Sequence, residues 1–249
     1  MTFYDLIDKV KRYYAFGPDE IKAILLTALA GSFAFSFRDW GTQTFNASTG
    51  FLNWLIAFII VLISIWLHVS VQRIAGLNVG FKVEYVMSVI GIAIGIILCF
   101  ATGGFLWMFV IPGGIFLHQL VQHRLGFFRY GINMWSQSMI CIWGLIATAV
   151  VLLLLKIMTA VMPSNVFLQK AFLFNMWYLI ICALPLPPLD GSRIFFGTRG
   201  VYFFILGAVI GWALLLYYAT IWMAILGAVV IGIIFSFLFY LFAESGYVK

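Results

Sequence analysis

Apolar residues run through this chain in long blocks, with polar residues confined to short gaps between them. The blocks cover residues 22–37, 51–72, 85–117, 136–160, 167–186, 200–218 and 220–242. Most have the length of a helix that crosses about 30 Å of hydrocarbon, which takes ~20 residues. The block 85–117 is too long for one crossing and is broken at Thr102-Gly-Gly104 and Pro112-Gly-Gly114. A hairpin or re-entrant element that returns to its own side is expected there, with its irregular backbone buried against protein. Ahead of the first block, Phe3, Leu6, Ile7 and Val10 fall on one face at helical spacing among seven charged residues. That pattern predicts an amphipathic helix lying on a membrane surface. The expected organisation is an amphipathic segment 1–21, a single membrane domain 22–243 and a short tail 244–249.

Composition agrees with the pattern. Apolar residues make up 65% of the 249 and charged residues 9%, far from the quarter charged of a soluble domain. The fold class expected is an all-α polytopic membrane protein of six or more spanning helices, with the bilayer as its first partner. The net charge of +6 is dispersed and calls for no nucleic acid. Its placement is informative instead. With the N-terminus in the cytoplasm, eleven of the fourteen Lys and Arg residues fall on the cytoplasmic side, Arg73, Lys82 and Arg193 among them. Arg38, Lys156 and Lys170 fall outside. This is the usual bias. Cys99, Cys141 and Cys182 sit in separate apolar runs without a Cys-x-x-Cys pair and read as small buried hydrophobes. Asn46-Ala-Ser48 matches a glycosylation acceptor, a pattern common by chance.

Two polar positions inside this apolar setting carry candidate chemistry. His68 and Gln72 are four apart in Trp66-Leu-His68-Val69-Ser-Val-Gln72-Arg73, so they share a helix face. A zinc protease helix uses that spacing for two His ligands, with a Glu after the first to activate water. Here Val69 stands at the Glu position and Gln72, a weak neutral ligand, at the second His. Asp190 follows Pro185, Pro187 and Pro188, three of the six prolines in the chain. Prolines end a helix and set a rigid extended stretch; Gly191 allows a sharp turn after it. Asp190 either holds a metal or caps the next segment. Sidedness puts His68 and Asp190 at a similar depth, so the two are expected to meet. Asn175, near the midpoint of the 167–186 block, reads as a helix-packing or partner-binding amide. His118 and His123 read as solvated loop histidines.

The order of these elements resembles the site-2 protease family of intramembrane zinc metalloproteases, especially its archaeal branch. The resemblance rests on the His68 motif, the Ile111-Pro-Gly-Gly114 insert, Asn175-x-Trp177, and the nearly intact Leu186-Pro-Pro-Leu-Asp190-Gly-Ser192-Arg193. It covers roughly residues 22–210. It implies a site-2-protease-like helical core and a zinc held by His68 and Asp190, with Gln72 as a weak third ligand. Asn175, Pro187 and Pro188 would contact a substrate or partner helix. Val69 occupies the general-base position, and the family's Gly-Pro helix reads Ile132-Asn-Met-Trp-Ser-Gln-Ser138 instead. The expected function is therefore a catalytically degenerate pseudoprotease that holds a transmembrane partner or serves as a subunit of a membrane complex, with zinc doubtful. The alternative is an active intramembrane metalloprotease with an altered site, in which His118, His123 or Glu84 replaces the missing groups. A transporter role would need a polar path, which these spans do not offer.

Overall fold

A computed structural model of the chain describes residues 3–41, 45–120 and 133–244. It is mostly helical. Nine α-helices lie among the described residues: α1 (Phe3–Tyr13), α2 (Pro18–Phe35), α3 (Ala47–Val79), α4 (Val89–Ala101), α5 (Met134–Val161), α6 (Val166–Cys182), α7 (Asp190–Gly197), α8 (Arg199–Tyr218) and α9 (Ile221–Phe239). Four stretches are long and apolar enough to cross a membrane: α3, α5, α8, and α9 with the turn that extends it to Ala243. The helices α4 and α6 are apolar but shorter.

The all-α expectation needs a correction. Strands β1 (Phe81–Met87) and β2 (Gly113–Gln119) pair antiparallel, with Phe81 opposite Gln119 and Met87 opposite Gly113. Their side chains alternate as a half-buried strand requires: Phe81, Val83 and Tyr85 are buried, whereas Lys82 and Glu84 are partly exposed. The block 85–117 does return on itself, as expected. It does so by closing α4 and a short 3-10 turn (Trp107–Phe109) between the paired strands. The break at Thr102 is real. Gly103 and Gly104 take φ of 59° and 81°, a left-handed backbone open to glycine at little cost.

Local chemistry sets the helix ends. Asn46 is the N-cap of α3, its side chain accepting from the Thr49 N–H; this explains an Asn that the sequence offers as a glycosylation acceptor. Pro18 starts α2, and Glu20 reaches back to the Gly17 N–H at 3.3 Å, as in a capping box. The prolines stop α6 at Cys182, and the chain stays non-helical through Leu189.

Two charged clusters mark opposite ends of α3. Near its start, Lys170 of α6 bridges Asp39 at 2.7 Å and Asn53 at 3.1 Å. Near its end, Arg73 is fully buried. Twenty helical residues separate Asn53 from Arg73 (73 − 53), about 30 Å at 1.5 Å each, the thickness of a bilayer's hydrocarbon. His68 lies five residues inside Arg73 on the same helix. The hydrophobic core includes Ile65 and Val69 of α3, Ile140 and Leu145 of α5, Leu179 of α6 and Ile194 of α7. The outermost helix, α9, packs chiefly on α8 and keeps most of its apolar surface uncovered.

Candidate metal centre

His68 and Asp190, 122 positions apart, meet: His68 Nε2 lies 2.7 Å from Asp190 Oδ2. Gln72, one turn below His68, donates its Nε2 to Asp190 Oδ1 at 2.8 Å. Both oxygens of the carboxylate are thereby held, and all three residues are buried. On its other side His68 Nδ1 lies 2.7 Å from the Thr148 hydroxyl of α5, which is 3.3 Å from the Gly144 carbonyl. Tyr178 of α6 packs edge-on against the imidazole, ring centres 5.4 Å apart. The helix α5 approaches closely because position 144 is glycine. A Cβ there would lie 2.5 Å from Gln72 Nε2 and 2.7 Å from His68 Nε2.

Asp190 reaches this place as the first residue of α7, whose N-cap is Leu189. The capping role weighed from sequence is not the one it plays: no side-chain cap bond forms at this helix start. Gly191 serves closeness rather than a turn, for it lacks a positive φ, and a Cβ on it would fall 2.1 Å from the Ala183 carbonyl oxygen. The proline stretch is braced from outside. Gly114 of β2 lies so near Pro188 that a Cβ would come within 2.0 Å of its carbonyl oxygen. Arg193 completes the brace. It donates to Gln137 of α5 at 2.9 Å and to the Ile115 carbonyl of β2. Pro187 and Pro188 thus support the carboxylate from the hairpin side.

Cys99, Cys141 and Cys182 are all free and buried, as the sequence leads one to expect. Cys182 ends α6 with its sulfur close to the pair, and the ligand atoms of His68, Cys182 and Asp190 all lie within 4.8 Å of one another. Cys99 lies beside the Ala34 carbonyl. Imidazole, thiolate and carboxylate are all donors that zinc accepts, so these residues fit a divalent ion in kind and in proximity. Such an ion would polarise a carbonyl or activate a water. Val69 points into the core, 1% exposed, and offers no proton transfer.

The substitutes proposed for the missing groups lie elsewhere. His118 is on β2 rather than in a loop. Its Nε2 lies 3.0 Å from Glu84 Oε2 across the sheet, and Lys82 lies 2.7 Å from Glu84 Oε1. Strand alternation turns this trio away from the buried face that carries Tyr85. The Lys82 ammonium, more than any other group, holds the Glu84 carboxyl below its ordinary range, aided by His118. His123 lies outside the described residues. Asn175 is buried; its Nδ2 donates to the Ala171 carbonyl of its own helix, and its Oδ1 has no partner among the described residues. A narrow aromatic cleft opens beside the site, lined by Trp107, Val110, Pro112, Phe174, Trp177 and Tyr178 among others. Tyr178 is common to the cleft and to the His68 contact.

No family model, curated protein or solved structure matches the chain.

Proposed function

We propose that this chain is a site-2-protease-like integral membrane protein that does not hydrolyse peptide bonds and instead holds a transmembrane partner, alone or as a subunit of a membrane complex. The observation that carries the reading is the state of Asp190. Both its oxygens are bound by the side chains of His68 and Gln72, and the position beside His68 where a base would stand is a buried valine. Loss of a general base costs roughly 10²–10⁴-fold in rate. A partner contact is supported by the aromatic cleft next to Tyr178, which lies on the same helix as the unsatisfied Asn175 Oδ1. The N-terminus is placed in the cytoplasm, which puts His68 and Asp190 in the cytoplasmic half of the membrane; the distribution of Lys and Arg supports this orientation.

The competing reading is an active zinc protease with an altered ligand set, and cleavage of a transmembrane reporter separates the two. The unmodified protein, reconstituted in vesicles with the reporter, is expected to leave it intact. Chelator-sensitive cleavage that disappears in Asp190→Ala would overturn the pseudoprotease reading.

A further inference from the structure

We propose that Cys182, rather than Gln72, supplies the third protein ligand of a zinc-class metal site with His68 and Asp190. Three observations converge on it. First, the ligand atom of Cys182 lies within 4.8 Å of those of both His68 and Asp190. Ligands of one zinc stand about 3–4 Å apart, given bonds of ~2.0–2.3 Å in a tetrahedron. The 2.7 Å contact between His68 and Asp190 needs only to open slightly. Second, the Gln72 amide is already committed through Nε2 to Asp190 Oδ1, where it orients the carboxylate as outer partners of metal ligands do. Third, charge favours the thiolate. A divalent ion with imidazole, carboxylate and thiolate sums to zero. The same ion with imidazole, carboxylate and a neutral amide leaves +1 in a buried apolar site, where uncompensated charge is expensive.

His68 is equipped for the role. Metal-bound imidazoles donate their second ring N–H to a fixed acceptor, and Thr148 Oγ1 waits 2.7 Å from Nδ1. The Thr148 hydroxyl can turn its own proton to the Gly144 carbonyl at 3.3 Å. Nε2 is then free to face the ion: as the ion takes the place of the proton between His68 and Asp190, the imidazole passes from its Nε2–H to its Nδ1–H tautomer, so no proton is lost from the ring. The thiol proton of Cys182 leaves to solvent on binding, as metal–thiolate formation requires. This site is independent of the proposal that the chain lacks protease activity. Failure to bind metal leaves that reading untouched, and reporter cleavage tests it separately.

The test uses the purified full chain in detergent with cobalt(II) as the probe. A thiolate-to-cobalt charge-transfer band is expected in the near ultraviolet, displaced by zinc. The band should vanish in Cys182→Ser and persist in Cys141→Ser, whereas Gln72→Leu should keep the band and weaken cobalt binding about 10–100-fold. Helical circular dichroism and elution volume report whether each variant is folded. If Cys182→Ser does not fold, X-ray absorption on the zinc-loaded wild type decides, with a single sulfur expected in the first coordination shell. The proposal is overturned if folded wild type binds no cobalt, if cobalt binds without charge transfer, if the band survives Cys182→Ser, or if the zinc spectrum shows no sulfur.

Discussion

Two buried polar clusters lie within two turns of each other on α3, and they are built on opposite principles. At Arg73 the guanidinium donates to the carbonyls of Tyr14 and Ala15 at 2.9 and 2.8 Å, meets the Glu20 carboxylate, and lies with its carbon 4.0 Å from the Phe16 ring centre. Glu20 in turn accepts from the Tyr85 backbone N–H at 2.9 Å. Two full charges are spent on fixed partners in four segments: the α1–α2 junction, α2, α3 and β1. At His68 the single carboxylate meets an imidazole and an amide, and a thiol stands by without a charged partner. The first cluster fixes the scaffold. The second keeps donor groups that can be rearranged, which is what a ligand site needs.

The largest effect is expected at the fixed cluster. Arg73→Met keeps the side chain's length and removes its charge, leaving Glu20 buried without its cation. Breaking one partner of a buried pair typically costs ~3–5 kcal/mol. Thermal unfolding in mild detergent should show that loss, along with early exchange of the backbone amides at residues 14–20. An Arg73→Met protein as stable as wild type would erase the distinction between scaffold and site.

A smaller effect is expected from crowding the other cluster. In Gly144→Ala the new methyl lies 2.5–2.7 Å from Gln72 and His68 atoms. Something must shift, and overpacking of this kind costs about 1–3 kcal/mol. Amide exchange at the α1–α2 junction should stay as in wild type, because Arg73 and its partners are not touched. If that exchange rises as much as in Arg73→Met, the two clusters form one cooperative unit.

The contrast also explains what sequence could reveal. His68, Gln72 and Asp190 stand out because polar residues in apolar blocks are rare, and the prolines before Asp190 announce where the helix must end. Cys182 does not stand out. A cysteine in an apolar run looks like a hydrophobe until the phase of α6 puts its sulfur beside His68. Arg73 is invisible in another way: counting positive charges treats it as facing water, whereas its partner is 53 positions away. The strands were legible in part. Phe81, Val83, Tyr85 and Met87 alternate with Lys82, Glu84 and Val86, a two-residue period masked by the apolar block that begins within it. The hairpin's register and the brace at Gly114 depend on pairing across about thirty residues and leave no local trace.

The exposed trio on the sheet sets the lower end of the scale. Glu84 faces Lys82 and His118, and its side chain is 37% accessible. Water screens such a pair, so its worth lies in the range of about 0.2–1 kcal/mol found for exposed ion pairs. The sign of its pH dependence follows from the direction of the shift. Lys82 above all holds the Glu84 carboxyl below its ordinary 4.5. Folding therefore favours the ionised form, and the contribution is fully present above that ordinary value. It fades as pH falls below 4.5 through the lower folded value. Comparing Glu84→Gln with wild type by thermal unfolding should show a small, constant gap near neutral pH that closes in acid. A gap that widens in acid would mean that Glu84 is held protonated, against the geometry of its cations. A neutral-pH gap as large as that of Arg73→Met would show that burial is not what separates the fixed cluster from the rest.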